Sequence, residues 1–140
     1  MKKMSAQEYE KVERASDALR SLPVSINKKE SATISDINHM ARKVKNLRCI
    51  VVDYLGKISP EQKKEKRYEY ITEISGDLKT LARKYKVPVL VLAQLNRANT
   101  ERGNKKPQLS DLRDSGAIEQ DADAVIFLHR EDYYEEKKDR

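Results

Sequence analysis

Cys49-Ile50-Val51-Val52-Asp53 is an unbroken apolar run that stops on a carboxylate. A strand with one wet face alternates apolar and polar residues, whereas a continuous run reads as a strand buried on both faces of a parallel sheet. Beyond it, Gly56 to about Lys64 is polar, with Ser59-Pro60 marking a turn or helix start. Ile71, Ile74, Leu78, Leu81 and Tyr85 then recur at steps of three and four residues, which predicts a long amphipathic helix with a lysine-rich outer face. Pro88 comes next, and Val89–Ala93 is a second run of the buried type. Ala124–Leu128 is another, reached after a long polar connection. Upstream, Ser5-Ala6-Gln7-Glu8 has capping-box spacing and predicts a helix from about residue 5 to Ser21. Pro23 stops it, and Val24-Ser25-Ile26 alternates like a short strand. Thr33 or Ser35 can cap a second helix with Ile34, Ile37, Ala41 and Val44 on one face. Strands alternating with helices in this order predict an α/β domain with a parallel sheet.

The chain has 140 residues, the size of one domain. Apolar residues make up 38% and charged residues 37%, so a core is possible but the surface is unusually charged. No run of about 18 apolar residues exists, which excludes a transmembrane helix, and no apolar stretch follows the N-terminus as in a secretory signal. The single cysteine, Cys49, excludes an internal disulfide and fits a reducing, cytoplasmic setting. Net charge is +6 and unevenly spread, and Tyr133–Arg140 reads as a charged tail. A basic balance suits a polyanion, most commonly nucleic acid, although many basic surfaces only solvate.

Three places carry chemistry. Asp53, delivered by a buried strand to the sheet's C-terminal edge, is placed to hold magnesium through water. The plain alternative is an aspartate that opens a turn. Gln94 ends the next strand, where an amide can sense a terminal phosphate or position a water. Its alternative is a loop amide bonded to nearby backbone. Between Arg97 and Arg113, five basic residues (Arg97, Arg102, Lys105, Lys106 and Arg113) face only Glu101 and Asp111. Gly103 and Gly116 would let backbone amides approach phosphates, and the absence of aromatics favours tracking a nucleic-acid backbone over base stacking. The alternative is a solvated loop with Ser110 capping a helix.

IVVDYL (Ile50–Leu55), PVLVLAQLNR (Pro88–Arg97) and KKPQLSDLRDSGAIEQDADAVIFLHREDYY (Lys105–Tyr134) together closely resemble the C-terminal motor domain of DnaB-type replicative helicases. The spacing matches too, as does the helix in EISGDLKTLARKYKVPV; EYEKVERASDALRSLPVSIN is similar more loosely. The resemblance implies an α/β, RecA-like P-loop NTPase fold of three layers with a mainly parallel sheet, truncated at both ends, residues 1–140 forming one partial domain. It implies an ATP-dependent motor that translocates 5′ to 3′ on single-stranded DNA and unwinds the duplex during replication. Its cofactors would be ATP and Mg²⁺, and its partners single-stranded DNA, five further copies in a hexameric ring with ATP at each subunit boundary, and a helicase loader and primase. Asp53 would be the Walker B magnesium ligand and Gln94 the residue coupling the γ-phosphate to DNA. Arg113, Asp114 and Gly116, with Arg97, Lys105 and Lys106, would contact the strand.

The chain departs from the family pattern at several points. No GxxxxGK[ST] phosphate loop occurs in it, and Tyr54 follows Asp53 in place of a second acid. The phosphate loop and catalytic glutamate are expected upstream of Met1, and the arginine finger with its companion lysine beyond Arg140. Gly56 stands where the family usually has glutamine, and Asp114 where it usually has glutamate. Without the phosphate-loop strand, Val89–Ala93 and Ala124–Leu128 lack a shared neighbour, so the last strand is expected to be unpaired or re-paired. Two functions are compatible with this: part of a helicase motor that cannot itself hydrolyse ATP, or a non-enzymatic DNA-binding module that enters a ring as a defective subunit. The DLRDSGAIEQDAD string argues against a third, a RecA-class recombination or repair ATPase.

Overall fold

The computed structural model describes residues 4–61, 67–95 and 106–130, without the side chains of Arg67, Arg113, Asp114 and Ser115. Helix α1 spans Ala6–Arg20 and α2 spans Ile34–Lys43. Strand β1 (Ile50–Val52) leads to a 3₁₀ turn at Leu55–Lys57, then helix α3 (Arg67–Tyr85) and strand β2 (Val89–Val91). A 3₁₀ segment, Leu109–Ser115, runs into helix α4 (Gly116–Asp121).

Both early helices start where their caps dictate. The Ser5 hydroxyl accepts from the Glu8 N–H at 3.3 Å, and Glu8 Oε2 accepts from the Ser5 N–H at 2.7 Å. Thr33, rather than Ser35, caps α2 through the same reciprocal pair with Asp36, at 3.2 Å each way. Beyond their caps the two helices differ. Helix α2 turns Ile34 and Ile37 towards the core, whereas α1 buries no residue at all.

Helix α3 organises everything else. Ile71, Ile74, Leu78 and Leu81 are all buried, as their spacing predicts, and pack with Val52, Leu55 and Ile58. Each such side chain contributes about 1.5–3 kcal/mol by leaving water. Strands β1 and β2 pair in parallel in the register Ile50↔Val89, Val51↔Leu90 and Val52↔Val91. Ile50, Val52, Val89 and Val91 point at the core, because side chains alternate along a strand.

The opposite face departs from expectation. Val51 is 59% and Leu90 54% exposed, so the continuous apolar runs are covered on one face, not two. Among the described residues nothing packs on the second. The segment at 124–128 has no regular secondary structure and pairs with no strand among the described residues, leaving Ile126 80% and Leu128 91% exposed. Val24–Ile26 is likewise not a strand. Its residues find no ladder partner, and the nearest pairing is a single parallel bridge from Ala32 to Ile58. A strand-like side-chain pattern is present in both places, alternation at 24–26 and a continuous apolar run at 124–128, but a strand also needs a neighbour for its backbone groups.

Candidate functional site at the C-terminal sheet edge

The parallel register delivers the ends of β1 and β2 to one edge. The Leu92 N–H donates to the Val52 carbonyl at 2.9 Å, and the Leu55 N–H returns to the Leu92 carbonyl at 2.8 Å. Asp53 is therefore clasped beside Leu92, and Gln94 lies two residues on. Both side chains are exposed. Among the described residues no hydrogen bond or ion pair engages the Asp53 carboxylate, which leaves its oxygens available to a ligand.

Among the described residues no three His, Cys, Asp or Glu side chains cluster as metal ligands. Magnesium asks for less, since it keeps several waters and takes one or two carboxylates plus substrate phosphates. One free carboxylate at a strand end fits that requirement. A phosphate cradle does not come from these residues, because the chain contains no GxxxxGK[ST] pattern.

Sequence reasoning missed one feature of this edge. A Cβ placed on Gly56 would lie 2.6 Å from Cε2 of Tyr54, so the Tyr54 ring occupies the space a side chain at 56 would need. A glycine at position 56 is thus matched by the position of a neighbouring ring. The signal was present in the sequence as Tyr54 and Gly56 two apart, but nothing in it specified the ring's direction. A groove of about 530 Å³ also opens beside Asp53, lined by the Val24–Ala32 segment, α2 and β1.

The SDLRDSG stretch is not a loop. It forms the 3₁₀ segment and the start of α4, and it docks on α3. Leu112 is buried, and Asp111 is only 5% exposed, its Oδ2 accepting from the Gln108 N–H at 2.8 Å. Ser75 donates to the Ala117 carbonyl at 3.5 Å, and Ile118 packs against the core. Lys79 Nζ lies 2.5 Å from Asp123 Oδ1, and its hydrogen bond holds that carboxyl below the usual range. Gly116 is exposed with φ −49°, and a Cβ there would meet nothing within 4 Å. Its glycine is therefore required neither by backbone conformation nor by crowding within the described residues.

Of the residues singled out from sequence, Asp53 and Gln94 come to one edge. Gly116 and Lys106 are placed with the α3-docked segment, Lys106 being exposed and engaged by an interaction. Arg113 and Asp114 lie within the 3₁₀ segment, their side chains outside the description, and Arg97 and Lys105 lie outside the described residues.

The parallel β1–α3–β2 unit, with a carboxylate and an amide at the carboxyl ends of its strands, matches part of a RecA-like fold. The family described as DnaB-like helicase C-terminal domain matches residues 1–140. Replicative DNA helicase DnaB of Rickettsia typhi is 41% identical over 139 residues, covering 97% of this chain and 28% of that protein. DnaB of Geobacillus stearothermophilus is 42% identical over 136 residues, covering 94% and 30%. A solved ATPase domain superposes with a TM-score of 0.87 at 34% identity, over 96% of this chain and 49% of that one. A DnaB-like replicative helicase, solved in a study of its interactions with primase, gives 0.86 at 34%, over 96% and 33%. The chain belongs to the DnaB-like helicase C-terminal domain family. It spans less than a third of the length of the two DnaB relatives.

Proposed function

We propose that residues 1–140 are a partial RecA-like domain serving as the nucleotide-sensing and DNA-contacting part of a replicative helicase motor. The reading rests on one observation: the β1–β2 register, which puts Asp53 and Gln94 on a single edge, with the basic stretch continuing directly from Gln94. Asp53 would hold Mg²⁺ through water, and the ion, when bound, neutralises phosphate charge. Gln94 would hydrogen-bond the terminal phosphate of ATP and pass its state to the segment beyond. Arg97, Lys105, Lys106, Arg113, Asp114 and Gly116 would lie along the backbone of single-stranded DNA, with charge neutralisation supplying most of the affinity. In the whole protein this unit would act within a homo-hexameric ring in the bacterial cytoplasm, with a loader and primase as partners; the primase is named with one of the similar structures.

The absence of a GxxxxGK[ST] pattern favours a second reading for the chain by itself, that of a DNA-binding module or defective ring subunit without ATP turnover. Hydrolysis by the isolated chain should equal buffer, and magnesium-dependent hydrolysis lost in Asp53→Ala would overturn that expectation. Anisotropy of a labelled single-stranded oligonucleotide tests the grip. Affinity should fall steeply with salt and should weaken in Arg113→Ala. Salt-independent binding, or binding unchanged by that substitution, would refute it.

A further inference from the structure

The other end of the sheet carries a charge pattern that the proposed motor role does not use. Strand β1 is entered through Arg42-Lys43-Val44-Lys45-Asn46-Leu47-Arg48-Cys49, and β2 through Arg83-Lys84-Tyr85-Lys86-Val87-Pro88. These two segments hold seven cations and no acid. Parallel pairing brings them together: the Ile50 N–H donates to the Pro88 carbonyl at 3.0 Å, so the residues before each strand run side by side. Lys84 Nζ reaches Asn38 Oδ1 at 2.9 Å, and the Tyr85 hydroxyl reaches the same oxygen at 2.6 Å, which fastens the end of α3 to α2. The surface is thus held by backbone pairing and by an interhelical contact.

All seven cations are exposed, and none forms an ion pair among the described residues. Helix ends account for some of them. Arg42 and Lys43 close α2, and Arg83 and Lys84 close α3, where positive charge suits the helix dipole. Arg83 also acts at a distance on Asp123. Lys45, Arg48 and Lys86 lie beyond the helix ends, and neither the dipole nor a carboxylate explains them.

We propose that this strand-entry edge is a second nucleic-acid contact surface, binding the phosphate backbone at the end of the sheet opposite Asp53 and Gln94. No large apolar side chain is exposed in either segment, whereas Val51, Leu90 and Leu92 are exposed within or just past the strands. A protein partner would use buried aromatic or aliphatic anchors, and a membrane would need an apolar face to insert. A cationic surface without anchors fits a regularly spaced polyanion read by charge. Its residues are distinct in sequence from those of the Arg97–Gly116 stretch, so substitutions test the two proposals separately.

The test compares wild type, the triple variant Lys45→Ala/Arg48→Ala/Lys86→Ala, and Arg113→Ala, each confirmed folded by circular dichroism, by salt titration of binding to a labelled single-stranded oligonucleotide. Losing three phosphate contacts should reduce the slope of log K against log salt by about 2, since each counts for about 0.7 on a single strand. The charge-preserving Lys45→Arg/Lys86→Arg variant should keep the wild-type slope. A triple variant with the wild-type slope overturns the proposal, as does a wild type that binds no nucleic acid. The same holds if the triple substitution abolishes binding to polyglutamate or anionic vesicles while sparing DNA. If Arg113→Ala alone weakens binding, the proposal for the Arg97–Gly116 stretch survives and this one fails; if the triple variant alone does, the reverse holds.

Discussion

Ile74→Ala and Ile126→Ala remove the same atoms from two positions that look equally core-like in sequence, and the structure separates them sharply. Ile74 is 2% exposed at the centre of the α3 cluster, whereas Ile126 is 80% exposed. Truncating isoleucine to alanine deletes three carbon groups, about 2.4 kcal/mol of transfer free energy at about 0.8 each. At Ile74 the surrounding side chains cannot close fully on the space, which takes the loss to about 3–4 kcal/mol. At Ile126 about a fifth of the transfer term remains, roughly 0.5 kcal/mol. Urea unfolding monitored by circular dichroism, at several protein concentrations to detect self-association, gives both numbers from the shift in midpoint at constant m. Equal losses at the two positions would refute the reasoning, since they would mean that the segment at 124–128 is packed in solution. So would a loss below about 1 kcal/mol at Ile74, because α3 would then not be the centre of the core.

Two further substitutions probe local electrostatics and capping. Partial burial raises the Asp77 carboxyl, with the charges of Glu73 and Glu61 adding to the effect. Asp77 therefore binds its proton more tightly folded than unfolded, and its ionisation weakens the fold as pH rises through the raised value. Asp77→Asn should be more stable than wild type at neutral pH, with most of the advantage gone near pH 3, below the unperturbed aspartate value; denaturation curves at both pH values check this, and lower stability at neutral pH would contradict it. Thr33→Ala should cost about 1 kcal/mol of global stability because α2 is tied to the core, whereas Ser5→Ala should fray α1 and leave the unfolding midpoint unchanged. A midpoint shift in Ser5→Ala as large as that in Thr33→Ala would mean that α1 is packed.

Helical parts of the fold were legible because their information is local. The steps from Ile71 to Tyr85 gave the buried face of α3, and Ser5 and Thr33 carry the two reciprocal caps. The edge position of Asp53 and Gln94 was also readable, since each ends an apolar run that becomes a strand. What could not be read depends on partners. Val51 and Leu90 have the residue types of a doubly buried strand, but whether anything covers them is decided elsewhere than in their own segments. Val24–Ile26 and 124–128 likewise have strand patterns without a strand beside them. The SDLRDSG stretch reads as a loop because its charges and glycine outweigh Leu112, whose burial against α3 sets its path. The Tyr54–Gly56 contact is a matter of ring orientation, which no spacing reports.

The three-residue pairing of β1 with β2 has a cost that its own hydrogen bonds do not cover. Joining Val52 to Val91 closes a loop of roughly forty residues, for which the length-dependent part of the entropy is about 3 kcal/mol. Strands this short, without further neighbours among the described residues, do not persist by backbone bonding alone. Helix α3 occupies 19 residues of that loop and presents Ile74 and Leu78 to the strands it connects. The sheet is thus a consequence of the helix's docking rather than its platform. The relative placement of Asp53 and Gln94 is set from below, by the apolar contacts between α3 and the strands, and any loosening of α3 would shift these two residues before it unfolded the chain.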